Sequence, residues 1–109
     1  LSAGRHERSW LHRFLRQGRE SAPGQIAWRI GMGRLAFEEG RLALAEAEFR
    51  EALSIASRGP ERAPLHLALA EIAMRRGKRD VAARELELAL AADPTHAPAR
   101  RLQARLAGR

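Results

Sequence analysis

The chain repeats itself. The stretch Gly40-Arg41-Leu42-Ala43-Leu44-Ala45-Glu46-Ala47-Glu48-Phe49-Arg50-Glu51-Ala52-Leu53 returns as Gly77-Lys78-Arg79-Asp80-Val81-Ala82-Ala83-Arg84-Glu85-Leu86-Glu87-Leu88-Ala89-Leu90. Each copy opens on glycine, places an alanine at Ala45 or Ala82 and an apolar residue four later at Phe49 or Leu86, then closes on Ala-Leu. From Gly40 to Gly77 the spacing is 37 residues, a period that signals stacked supersecondary units. A single such unit cannot cover its own apolar face, so neighbours must stack to share a core. That architecture makes binding surfaces rather than enclosed catalytic cavities.

The rest of the composition agrees with helices. The β-branched residues are Ile26, Ile30, Ile55, Ile72, Val81 and Thr95 alone, too few for a sheet. Alanine is abundant and aromatics are scarce, which suits close helix–helix approach over small side chains. At 109 residues the chain supports one domain, burying roughly two-thirds of its unfolded surface. With no cysteine, disulfides, thiolate catalysis and cysteine–zinc sites are excluded.

Helical periodicity covers nearly the whole chain. Trp10, Leu11, Phe14 and Leu15 share one face of a short helix that Gly18 ends, followed by a turn at Ser21-Ala22-Pro23-Gly24. A second helix is expected from Gln25 to Glu39, carrying Ile26, Ile30, Gly33 and Phe37, and a third from Leu42 to Ser57, carrying Ala45, Phe49, Ala52, Leu53 and Ala56. Arg58-Gly59-Pro60 reads as a stop and turn. The fourth helix, Glu61 to Arg76, has Pro64 in its first turn and an apolar stripe of Leu65, Leu69, Ile72 and Ala73. A fifth runs from Arg79 to Ala92 with Ala82, Leu86, Ala89 and Leu90 inward. Thr95 is placed to cap a sixth, His96 to Ala107, which offers Leu102 and Leu106.

These residues resemble the tetratricopeptide repeat family, whose helix–turn–helix unit carries W-x2-L-G-x2-Y, then A-x3-F, then proline. In one unit the small residue falls on Gly33, the turn glycine on Gly40 and A-x3-F on Ala45 and Phe49. In the next, Leu69-Ala70, Gly77, Ala82-x3-Leu86 and Asp93-Pro94 take those places. The chain departs from the signature at the tryptophan, which is Arg29 (with Trp28 one residue early) and then His66, and at the first-helix aromatic, which is Ala36 and then Ala73. The resemblance implies an all-α solenoid of antiparallel helix pairs with about six helices. Residues 1–109 then form one domain, cut from a longer array: a half unit 1–25, units 26–62 and 63–96, and a terminal helix 97–109.

The resemblance also implies that the first helix of each unit lines a concave face. Ala27, Ile30, Arg34, Phe37 and Glu38 then come from the first unit, Pro64, Leu67, Glu71, Met74 and Arg75 from the second, and Arg101 and Arg105 from the last helix. Phe37, Leu67 and Met74 are expected as an apolar floor, with Arg34, Glu71, Arg75 and Arg101 as polar handles for a partner helix or peptide. Chaperone-binding members grip a C-terminal carboxylate with lysine and asparagine at groove positions. Here those positions hold Ile30, Arg34, Leu67 and Glu71, so that clamp is absent.

No other chemistry competes. His6, His12, His66 and His96 are scattered without the spacing that helical metal ligation needs, and Gly31-Met32-Gly33-Arg34 lacks the ending of a phosphate loop. No nucleophile constellation is present, so the expectation is a non-enzymatic module with no cofactor and no metal.

The net charge of +7 is carried by the ends. Residues 23–96 balance, while Arg5, Arg8, Arg13, Arg16 and Arg19 exceed Glu7 and Glu20, and Arg100, Arg101, Arg105 and Arg109 meet no acid. This distribution supports an alternative, binding of nucleic acid or an anionic surface through the arginine-rich ends, although few aromatics are free to stack on bases. No apolar run reaches membrane-spanning length, and the start at Leu1 suggests a processed product or an excised fragment. The leading expectation is a scaffold binding a protein or peptide partner in a larger bacterial assembly. It is placed in the cytoplasm, with a membrane-anchored envelope or secretion parent as a variant, and self-association through exposed end helices as a further route.

Overall fold

The computed structural model describes residues 22–57 and 59–108. Among them are five helices and no strand: α1 (Ala22–Glu38), α2 (Leu42–Ile55), α3 (Gly59–Arg75), α4 (Arg79–Ala92) and α5 (Ala97–Ala107). The helix expected around Trp10–Leu15, and with it nearly all of the half unit 1–25, lies outside the described residues. α1 packs chiefly on α2 and α3 on α4. α2 meets α3 to join the two pairs, and α5 closes against α4 and α3.

Both pairs are bent by the same device. Gly40 and Gly77 have φ of 77° and 73°, a left-handed conformation that costs a side-chain-bearing residue about 1–2 kcal/mol. The amides of Gly40 and Arg41 donate to the carbonyls of Phe37 and Ala36, and those of Gly77 and Lys78 to Met74 and Ala73. These paired bonds satisfy carbonyls that the helix end would otherwise orphan. The next helix therefore starts within a few residues, running back along the first.

Two turns expected from glycine and proline are helical instead. Ala22, Pro23 and Gly24 form the first turn of α1, and Gly59 and Pro60 the first turn of α3. Amides in a first turn have no intrahelical acceptor, so proline there forfeits nothing. α2 stops at Ile55, short of Ser57, where Ala56 turns extended, and Arg62 reaches back from α3 to the carbonyls at its end. Its Nη1 donates to the carbonyls of Leu53 at 2.9 Å and Ala56 at 2.8 Å. The earlier start of α3 also moves Pro64 beyond the first turn, so the carbonyl of Pro60 loses its helical donor. Both prolines are exposed, which leaves that carbonyl to water. Thr95 does not cap α5. Its amide and hydroxyl both bond Asp93 Oδ1, at 3.1 and 2.7 Å, and His96 occupies the cap position without a side-chain bond.

The core forms two clusters, the first of which crosses from one unit into the next. One cluster joins Ile26, Ala36, Ala45, Phe49, Ala52 and Leu53 to Leu65, Leu69 and Ile72 across the α2–α3 boundary. The other joins Ala70, Ala73, Ala82, Leu86 and Ala89 to Ala99, with Leu102 and Leu106 packed on it. Close approach is literal at Gly33, where an added Cβ would lie 2.8 Å from the Phe49 ring.

Candidate partner-binding groove

Polar ties hold each first helix to its second. Arg29 Nη1 donates to Glu48 Oε1 at 2.8 Å, and His66 Nδ1 meets Glu85 Oε1 at 2.9 Å. Adding 37 to Arg29 and Glu48 gives His66 and Glu85, so the two ties are the same tie in successive units. Neither glutamate is marked in the sequence as a partner for Arg29 or His66, since a tie spanning 19 residues leaves no helical-spacing signal. A further tie crosses between units. Arg76 Nη1 donates to Glu46 Oε1 at 2.9 Å, while Arg50, one helical turn along, holds the other oxygen at 3.0 Å. Burial pushes the Glu46 pKa up, but these two guanidiniums outweigh it and hold the carboxyl below its usual range.

With the ties directed inward and across, the first helices present a concavity of about 450 Å³ between α1, α3 and the start of α5. Ile30, Arg34, Phe37 and Glu38 line it from α1, Pro64, Leu67 and Glu71 from α3, and Phe49, Leu65 and Ala68 from behind. Expected groove residues from two units thus share one cavity. Arg75 reaches the same neighbourhood by lying over the Phe37 ring, 4.6 Å from its centroid, where the guanidinium meets the negative face of the ring.

The remaining expected residues lie elsewhere. Met74 and Arg105 line a second concavity of about 330 Å³ with Arg79, Leu102 and Leu106. Arg101 is exposed and borders neither cavity, and Ala27 is exposed beyond the first. Met74 follows Leu67 on the same helical stripe but two turns on, about 10 Å away. That displacement carries it from the floor of one cavity to the wall of the next.

Polar groups inside the cavity are left available. Among the described residues the side chains of Arg34, Glu38 and Glu71 make no hydrogen bond or salt bridge. Burial raises the Glu71 pKa above the usual carboxylate range, only partly offset by the charges of Arg34 and Arg75. His96 and Pro98 complete the wall, and His96 Nε2 is buried with no hydrogen-bond partner. This histidine has no metal-ligand spacing to mark it in the sequence, and its place in the wall follows only from how α5 docks.

A family model described as tetratricopeptide repeat matches residues 36–106, which is most of the chain. The chain belongs to the tetratricopeptide repeat family. No curated protein and no solved structure matches it. Tetratricopeptide repeats are in general protein–protein interaction modules and typically not enzymes. In this tetratricopeptide chain Arg29 and His66, where the signature has tryptophan, bond the second helix of their unit instead of filling space with a ring. Among the described residues no helix is long and apolar enough to cross a membrane, and no three metal-ligating side chains converge.

Proposed function

We propose that this tetratricopeptide chain is a non-enzymatic scaffold that takes a partner helix or extended peptide across its concave face. The observation that carries this reading is the cavity between α1 and α3. It has an apolar floor of Ile30, Phe37 and Leu67, and a rim where Arg34 and Glu71 are held without close ion pairs. A cavity of that size accepts one or two apolar side chains, and the rim charges of opposite sign fix register. The narrower version is a bacterial envelope or secretion scaffold held at a membrane. It requires apolar spans in a parent chain beyond these 109 residues, and a parent without them sinks it.

The test compares the native chain with Arg34→Glu plus Glu71→Arg in pull-downs from nuclease-treated, detergent-solubilised lysate. A protein enriched by the native chain and lost with the double variant supports the groove. Equal recovery by both overturns it and moves binding to another face. A second reading draws on α5, where Arg100, Arg101 and Arg105 are all exposed. Recovery that needs nucleic acid and falls steeply with salt would favour that surface.

A further inference from the structure

Adding 37 to Phe37 and Leu42 gives Met74 and Arg79. In the first unit Phe37 and Leu42 pack on the cluster that holds Leu69 and Ile72 of α3, so the turn end of that unit meets the next helix through apolar contact. In the second unit the same two places border the cavity of about 330 Å³, whose other walls are Leu102, Arg105, Leu106 and Gly108. Met74, Leu102 and Leu106 are half-buried and make an aliphatic floor, while Arg79 and Arg105 are exposed at the edge. The register that supplies a leucine in one unit therefore supplies a guanidinium in the other, beside a second guanidinium from α5.

Like charges at one cavity repel, and nothing among the described residues neutralises this pair. No carboxylate lines the cavity. Arg105 makes no side-chain hydrogen bond or salt bridge, and Arg79 has only a long bond of 3.4 Å to the Leu106 carbonyl. Asp80 follows Arg79 in the chain but forms a salt bridge with neither arginine. The turn nearby adds to the field, because Glu38-Glu39-Gly40-Arg41 of the first unit becomes Arg75-Arg76-Gly77-Lys78 in the second. Arg75 and Arg76 are occupied by Phe37 and Glu46. Lys78, Arg79 and Arg105 are left to attract an anion from outside.

Guanidiniums at the edge of an aliphatic floor suit an apolar side chain with a carboxylate beside it, since each planar fork matches a carboxylate. No aromatic side chain lines the cavity, so nucleic-acid bases would find no stacking platform. We propose that the cavity between α3, α4 and α5 docks an acidic peptide segment of a protein partner. A leucine-like side chain rests on Met74, Leu102 and Leu106, and flanking carboxylates meet Arg79 and Arg105. This site is separate from the α1–α3 cavity and does not depend on the reading given for it.

The test titrates the full chain with the capped peptide acetyl-Ser-Asp-Leu-Leu-Asp-Ser-amide and follows the arginine Nε–H signals by NMR. Those of Arg79 and Arg105 should shift saturably. Replacing both aspartates by asparagine, or both leucines by serine, should weaken binding about tenfold. Arg79→Leu, which installs the first unit's own residue, and Arg105→Ala should each weaken it about tenfold while a cooperative thermal transition is retained. Arg84→Ala removes an exposed charge of α4 outside the cavity. With a Debye length of about 8 Å at physiological salt, it should weaken binding less than about twofold. An equal loss with Arg84→Ala overturns the proposal, because net charge alone would then explain binding. Absence of any shift at millimolar peptide overturns it too, as does undiminished binding of the asparagine peptide. An oligothymidylate that shifts the same two signals at lower concentration than the peptide overturns it and assigns the cavity to nucleic acid.

Discussion

The two units of this chain share one backbone plan and differ in what each asks of the same position. In the first, Arg29 ties to Glu48 with its side chain 39% exposed. In the second, His66 ties to Glu85 with both partners at 11%. A guanidinium is always charged and is best held where water still reaches it. An imidazole can make the buried bond in either charge state. Packing shows the same exchange. The first unit sets Gly33 against Phe49, and at the equivalent positions the second unit has Ala70 and Leu86 in one buried cluster, a larger residue on the first helix and a smaller one on the second. Charge at the cavity inverts between them, with Arg34 in the first unit where the second has Glu71. Equivalent backbone thus tolerates unlike side chains so long as each contact conserves volume and satisfies its polar atoms.

The largest test of that statement is Phe49→Ala. The ring is 3% exposed and faces a glycine, so little can collapse into the space, and a loss of about 3–5 kcal/mol is expected in urea unfolding. A loss under about 1 kcal/mol would show that α1 moves in to fill the gap. Next comes the pair of ties. Glu85→Ala strands a buried imidazole N–H and should cost about 1–3 kcal/mol. Glu48→Ala, leaving an arginine that water can reach, should cost about 1 kcal/mol or less. Equal losses would remove burial as the distinction between the units.

Gly33→Ala sharpens the packing comparison. Helix propensity favours alanine by about 1 kcal/mol, but crowding against the Phe49 ring costs about 1–3 kcal/mol, so a net loss of about 1 kcal/mol is expected. With Phe49→Leu in place, imitating the second unit, the same change should become neutral or favourable. A double-mutant cycle measures that change of sign.

The smallest effects are electrostatic. Glu46 has a folded pKa below its unfolded value, so its stabilisation is present above the unfolded pKa and lost as pH falls through the folded one. Glu46→Gln should therefore lose roughly 0.5 kcal/mol at neutral pH, and the difference should vanish in acid. Glu71 is shifted upward by burial, so its contribution is fully present below the unfolded pKa and lost as pH rises through the folded one. Glu71→Gln should be the more stable form at neutral pH and equal to the native chain in acid. Thermal unfolding across the carboxylate range reads both, and parallel curves would remove the stated sign difference.

Legible in the residues alone were the repeat, the helical character of the described segments, the glycine turns and the stripe from Ile30 to Phe37 that lines the cavity. Each is a local property: 3.6-residue periodicity, a position that needs positive φ, an apolar residue recurring on one face. What Arg29, His66 and His96 meet follows only from packing, because their surroundings are built from helices distant in sequence. Packing placed Gly59 and Pro60 inside α3, where Arg62 holds the end of α2, and divided the groove stripe so that Met74 serves another cavity. It also separated Leu35 from Ile72. Periodicity marks both as one face of a helix, and only the helix packed against that face makes one core and leaves the other half exposed.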